Sequence, residues 1–208
     1  MAVIVFEGIN GSGKTEIIEG IRDILVERKQ PCVIADPAGF GRIGRILRNQ
    51  IVDGALKSTP NYDAVLFTAL RSEGAIALKE ILRVAPSTFV LLERWSLALA
   101  AYGHADGART TLISELRKHL DEILKIDLTL LLDTTGEIAY GRLAHETKKN
   151  RFEARGPQYL DQVAQNYRRY SVAEGGVRVV NTSGSLPKSL RAAWEPISRR
   201  WSALEAFD

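Results

Sequence analysis

Eight consecutive residues, Gly8-Ile9-Asn10-Gly11-Ser12-Gly13-Lys14-Thr15, constrain this chain more than any other feature. They satisfy the pattern G-x-x-x-x-G-K-[ST], in which glycines let successive backbone N–H groups curl round an anion. A lysine and a hydroxyl follow where a helix begins. The surroundings agree with the pattern. An apolar run at residues 3–6 ends just before the loop, and residues 15–28 carry Ile17, Ile18, Ile21, Ile24 and Leu25 at helical spacing. A strand, a glycine-rich turn and a helix in that order open an α/β fold, with the anion at the positive end of the helix dipole.

Four further apolar runs, at residues 32–35, 88–92, 128–132 and 177–180, alternate with longer stretches of helical period. Their near-continuous apolarity fits strands covered on both faces. The expectation is a three-layer α/β fold of the P-loop NTPase type, with a central parallel sheet of about five strands and helices on both faces. Helical period is clearest at residues 62–84, in Leu112, Leu116, Leu120, Ile123 and Leu124, and in Leu160, Val163, Tyr167 and Tyr170. The stripe Leu190, Trp194, Ile197, Trp201 and Leu204 reads as core packing rather than a partner-binding face. With 208 residues and no repeat or linker-like tract, residues 1–208 read as a single domain.

Composition narrows the function classes. The 28 basic and 25 acidic side chains leave a formal charge of +3, too small an excess for a dedicated binder of nucleic acid or of an anionic membrane. One cysteine, Cys32, cannot form an internal disulfide, and no Cys/His set has the spacing of a zinc site. The N-terminal apolar run is far shorter than a membrane span. These features together lead us to expect a cytoplasmic protein.

The loop itself implies a nucleoside triphosphate, ATP, with Mg²⁺. Backbone groups of Gly8, Asn10, Gly11, Ser12 and Gly13 would cradle phosphates, Lys14 would reach the β- and γ-phosphates, and Thr15 would offer its hydroxyl to the metal. At the end of the third run stand Glu93 and Arg94, where open α/β sheets bind ligands. A carboxylate there can hold the metal's water shell and a guanidinium can clamp a phosphoryl group. The charge-dense stretch with Arg142, Lys148, Lys149, Arg151 and Arg155 reads either as a solvated loop or as a lid, at about residues 145–156, bringing positive charge onto phosphates.

These residues, in order, resemble the thymidylate kinase family of P-loop nucleoside monophosphate kinases. Phe6 to Thr15 looks like the family's opening. Asp36-Pro37-Ala38-Gly39 followed by Ile43-Gly44 and Leu47-Arg48 is similar to its Glu-Pro-Gly-Gly loop and next helix, and Phe67 with Arg71 to its Phe-x-x-x-Arg element. Glu93-Arg94-Trp95 with Tyr102 stands where the family has Asp-Arg-Tyr and a later Ala-Tyr. Asp127-Leu128-Thr129 resembles the family's Asp-Leu-Thr strand, and Asn150-Arg151-Phe152-Glu153 with Tyr167 its lid and following tyrosine. The resemblance implies transfer of the γ-phosphoryl of MgATP to dTMP or a related pyrimidine deoxynucleotide, and a homodimer. Implied roles follow by position. Phe67 stacks on the acceptor base, Arg71 reads its edge, Arg94 holds its phosphate and Tyr102 packs beside the sugar. Asp36 and Phe40 belong to the acceptor side and Arg142 to the ATP side. Because Gly11 stands where some members carry an arginine, the lid residue Arg151 is the implied catalytic arginine.

Departures from the family pattern gather on the acceptor side: Asn10 for an acid, Glu93 for aspartate, Ala98 and Leu99 for small polar residues, and Gly103 for glutamine. Changed polar contacts point to a changed or relaxed acceptor. Two other readings share the loop. A deoxynucleoside kinase would fit Glu93-Arg94, though not the Asp36-Pro37-Ala38-Gly39 loop; a non-catalytic ATP-binding regulatory module would fit the loss of polar groups.

Overall fold

The computed structural model describes residues 2–55, 58–145 and 150–202. Five strands form one wholly parallel sheet: β1 (Ala2–Glu7), β2 (Cys32–Ala35), β3 (Phe89–Glu93), β4 (Leu128–Asp133) and β5 (Val177–Asn181), ordered β2-β3-β1-β4-β5. The expected sheet is thus observed, with boundaries within about a residue of the apolar runs. β1 lies at the centre and is buried along its whole length, which is why its sequence shows no polar alternation before Glu7.

Strand geometry sends alternate side chains to opposite faces. Ile4 and Phe6 of β1 meet Ile17, Ile18, Ile21 and Leu25 of α1 (Lys14–Glu27) and Trp194 and Ile197 of α8 (Leu186–Arg200). The expected C-terminal stripe is therefore core as far as Trp201; Leu204 lies outside the described residues. Val3 and Val5 face the other way, onto α3 (Pro60–Val84), α4 (Ser96–Asp106) and α5 (Thr110–Ile123). A further cluster joins α4 to α6 (Gly136–Arg142) and α7 (Pro157–Glu174). Burying the two faces of β1 removes side chains each worth about 1.5–3 kcal/mol from water, so the strand that presents the phosphate loop is also the most firmly held.

Three helices escaped periodicity. α2 (Gly41–Val52) was expected from resemblance alone, and its buried set is only Gly44 and Ile51. α4 is apolar all round, Ser96 to Ala101 being entirely buried, so it has no polar face to mark its period. α6 has seven residues, too few for a stripe. The stretch expected as a lid contains a 3₁₀ turn at Leu143–His145 and another at Glu153–Arg155; residues 146–149, with Lys148 and Lys149, lie outside the described residues.

Candidate active site

Gly8 to Gly13 form a tight loop between β1 and α1. Gly11, at φ +78°, passes so close to α6 that a Cβ built on it would lie 2.3 Å from the Ala139 carbonyl oxygen. Both the left-handed backbone and the contact exclude a side chain at this position as the loop stands. An arginine at position 11 is therefore sterically barred, and since the loop holds no arginine elsewhere, any guanidinium at the transferred group must come from another element.

Lys14 opens α1 and is almost wholly buried. Its Nζ donates to the carbonyls of Ile9 at 2.8 Å and Gly8 at 3.3 Å, inside the curl of the loop. Burial, reinforced by the nearby Arg94 charge, lowers its pKa to about 7. The Thr15 hydroxyl is exposed beside it, and Ser12 is fully buried.

Arg94, just past the end of β3, takes a left-handed backbone conformation with φ +66°. Non-glycine residues hold such a conformation at a cost of about 1–3 kcal/mol when their surroundings over-determine it. The surroundings here do so. Arg94 N donates to Phe6 O at 3.0 Å, and the next amide, Trp95 N, donates to the buried Glu7 carboxylate at 2.7 Å. Glu7 also accepts from Ala98 N and from the Tyr167 hydroxyl, so a carboxylate at the end of β1 caps the start of α4. The outcome is an aimed guanidinium. Arg94 donates to Gly8 O at 2.6 Å, to Tyr167 Oη at 3.0 Å and to Asn10 Oδ1 at 2.5 Å. Burial works against its charge, but the Tyr102 and Tyr167 oxygens and the Glu93 and Glu7 carboxylates more than offset this and hold the proton tighter than usual.

A cavity opens beside Arg94 and the P-loop residue Asn10. Asn10, Asp36, Phe67, Arg71, Glu93, Arg94 and Tyr102, seven of the residues singled out from sequence, line it. In its wall Arg71 is almost completely buried; its Nη1 donates to Phe67 O at 3.4 Å, and its Nε has no partner among the described residues. Burial lowers its pKa below the ordinary value, against the pull of Glu7 and Asp36. An orphaned buried guanidinium N–H is costly, and a bound acceptor would satisfy it. Phe67, one helical turn earlier, has the Arg71 guanidinium 5.4 Å from its ring centroid. Between them and α4 the wall is apolar, with Ala64, Ala98 and Leu99.

Two of the expected site residues are not brought into this cavity. Phe40 caps the start of α2, and from its loop Ala38 reaches the cavity instead. Arg151 lies in the neighbouring depression, where it pairs with Asp63 and donates to Ser58 Oγ at 3.2 Å, while its backbone N donates to Val52 O at 3.0 Å. The 150–156 turn thus borders the cavity beside Arg94 through Asn150 and Phe152 and meets the P-loop through Glu153, while the Arg151 guanidinium is turned to Asp63. Arg142 is on the opposite flank, donating to Gly11 O at 3.3 Å, Thr182 O at 2.7 Å and Gly184 O at 3.3 Å.

Sequence reasoning did not assign Glu7, Asp63, Asp106 or Glu153 to the site. Asp63 and Asp106 hold Arg151 and Arg155, pairings between residues far apart in the chain that no local pattern announces. Glu7 was legible only as a lone acid ending an otherwise apolar strand.

A parallel sheet with β1 central, a phosphate loop leading into α1, and a cavity on each flank of that loop, one at Asn10 and Arg94 and one at Ser12, Gly13, Arg142 and Thr182, define a P-loop nucleotide-binding enzyme. A family model for thymidylate kinase matches residues 6–192. Among similar proteins, a thymidylate kinase of Cupriavidus pinatubonensis is 31% identical over 199 residues, covering 93% of this chain and 96% of the relative. One from Staphylococcus haemolyticus is 29% identical over 170 residues, covering 81% and 82%. The chain belongs to the thymidylate kinase family, and so to the phosphotransferases that phosphorylate dTMP with ATP. Neither the deoxynucleoside kinase nor the non-catalytic reading is favoured by this match. Among the described residues no helix is long and apolar enough to cross a membrane.

Proposed function

We propose that this chain binds ATP on the α1 and α6 side of the P-loop and dTMP in the cavity between Arg94 and Arg71, and moves the γ-phosphoryl group between them. The observation that carries this reading is the cavity itself. Its lining holds two guanidiniums, Arg94 close to Lys14 and the buried Arg71 with an unsatisfied Nε, which suit a nucleotide's phosphate and its base edge. Arg71 can only donate, so it suits a base edge bearing a carbonyl. Phe67 offers a stacking face and Tyr102 flanks the sugar.

An acceptor phosphate oxygen then attacks the γ-phosphorus in line, the bond to the bridging oxygen breaks, and ADP departs. The protein's part is alignment and charge neutralisation. Lys14 leaves the loop carbonyls for the phosphates, Arg94 holds the acceptor phosphate, and Arg142 stays on the ATP flank. Arg151 would reach the transferred group only by giving up Asp63.

The oxygen donors fit a hard divalent cation: the exposed Thr15 hydroxyl and the half-buried Glu93 carboxylate, with no cluster of three or more His, Cys, Asp or Glu ligands among the described residues. Mg²⁺ takes few protein ligands beside phosphates and water, and when bound it neutralises charge on the β- and γ-phosphates. Exposed Ile43, Ile46 and Leu47 on α2 and Val65 and Ile76 on α3 offer apolar surface that supports a homodimer, and the unpaired Cys32 supports a reducing, cytoplasmic location. Incubation with MgATP and either dTMP or thymidine tests the reaction: dTDP from dTMP is expected, and phosphorylation of thymidine alone would overturn it.

A further inference from the structure

Asn10 of the P-loop and Glu153 of the lid turn are 143 positions apart in sequence, yet Asn10 Nδ2 donates to Glu153 Oε1 at 2.6 Å. The other end of the same amide accepts from Arg94 Nη2 at 2.5 Å and from the Tyr102 hydroxyl at 3.1 Å. An arginine can only donate and a carboxylate can only accept, so the amide is compelled into one orientation, oxygen to Arg94 and nitrogen to Glu153. No other side chain of this size has both functions. An aspartate would keep Arg94 but set carboxylate against carboxylate, which needs a proton or a cation between them.

Glu153 is only 6% exposed and is built into its turn. It accepts from Asn150 N at 2.9 Å and Asn150 Nδ2 at 2.6 Å, and Asn150 Oδ1 accepts from the amides of Phe152 and Glu153. Phe152 packs edge-on against Tyr102, with 5.5 Å between ring centroids. The turn therefore touches the P-loop through one amide and the acceptor cavity through Asn150 and the Phe152 ring.

We propose that Asn10 and Glu153 are a polarity-matched lock that seats the 150–156 turn on the P-loop and fixes Arg94 from the same amide, without a cation between them. Both are positioning residues. The kinetic half of this proposal rests on the phosphoryl-transfer reading; the structural half stands without it.

Hydrogen exchange at residues 152–156 in the nucleotide-free protein reads the structural half, because these backbone amides that seat the turn are hydrogen-bonded within it. Asn10→Asp should speed their exchange about tenfold, a typical coupling for groups in contact. Glu153→Gln should speed it less, and the double variant Asn10→Asp/Glu153→Gln, which reverses donor and acceptor, should return most of the way to the parent. Turnover should follow the same order, with kcat of Asn10→Asp falling about tenfold and recovering in the double variant. Unchanged exchange in Asn10→Asp, or losses that simply multiply in the double variant, would overturn the lock. Absent turnover on dTMP with the exchange pattern intact would refute the kinase reading and leave the lock standing.

Discussion

The two sides of the P-loop are made of different material. On the proposed ATP side, loop backbone, a helix N-terminus and Lys14 lie within eight consecutive residues, and only Arg142 of those expected there comes from elsewhere. On the proposed acceptor side, Asn10 of the loop is joined by Asp36, Phe67, Arg71, Arg94 and Tyr102, which lie on or beside β2, α3, β3 and α4 and meet only when the fold closes. Backbone recognition tolerates little change, since a Cβ at Gly11 already collides with Ala139. Side-chain recognition can be retuned one residue at a time. The departures from the family pattern follow that division: the glycines, Lys14 and Thr15 are intact, whereas Ala98, Leu99 and Gly103 line the acceptor cavity.

If the comparison holds, damage on the two sides will separate kinetically. Lys14→Ala is expected to have the largest effect, lowering kcat by at least about 10²- to 10³-fold, as for removal of a preorganised charge-stabilising donor; a coupled ADP assay with a thermal melt as control checks it. Retained turnover in a folded Lys14→Ala protein would break the ATP-side account. Next comes Arg71→Ala, expected to raise the acceptor KM by about 10- to 100-fold while leaving the KM for ATP nearly unchanged. Arg71→Lys should recover little, because a point charge does not replace a planar fork. Equal effects on both substrates would show that the two cavities are not independent.

Arg151→Ala sharpens the boundary between the sides. With its guanidinium held by Asp63 over the acceptor cavity, its loss is expected to raise the acceptor KM by up to about fivefold, in keeping with a partly exposed ion pair. A larger fall in kcat than rise in KM would instead show that Arg151 crosses to the transferred phosphoryl group during turnover.

The smallest effect concerns a single proton. Free Lys14 has a pKa near 7, below the ordinary value, so at pH 8 it is mostly neutral; an adjacent phosphate raises it and a proton is taken up. ATP titrations at pH 8 in buffers of differing ionisation enthalpy should reveal uptake approaching one proton, absent at pH 5.5 and absent in Lys14→Met. Proton release at pH 8 would contradict the burial argument.

Legibility in the sequence followed the same division. The strands were plain because β1, β3 and β4 are buried on both faces and read as apolar runs. α4 was not, because complete burial erases the polar half of its period. The P-loop announced itself since its ligand contacts are local. Arg94 was visible by position, but its left-handed backbone and its support by Glu7 and Tyr167 were not, since those partners lie 88 and 73 positions from it or its neighbour. Charge density left residues 145–156 open between a solvated loop and a lid, with family resemblance pointing to the lid, and Asp63 and Asp106, which claim its arginines, gave no signal outside the folded chain.

In the proposed reaction, selection of the acceptor rests with the side chains lining the cavity at Arg94 and Arg71, while the P-loop holds the phosphoryl donor. This division is tested most directly by kcat/KM, at saturating MgATP, for dTMP, dUMP, dCMP, dGMP and dAMP. The account predicts dTMP first, dUMP next, and dCMP far behind, because the donor-only Arg71 meets an amino group where thymine and uracil carry a carbonyl. Preference for dCMP or for a purine over dTMP would contradict it.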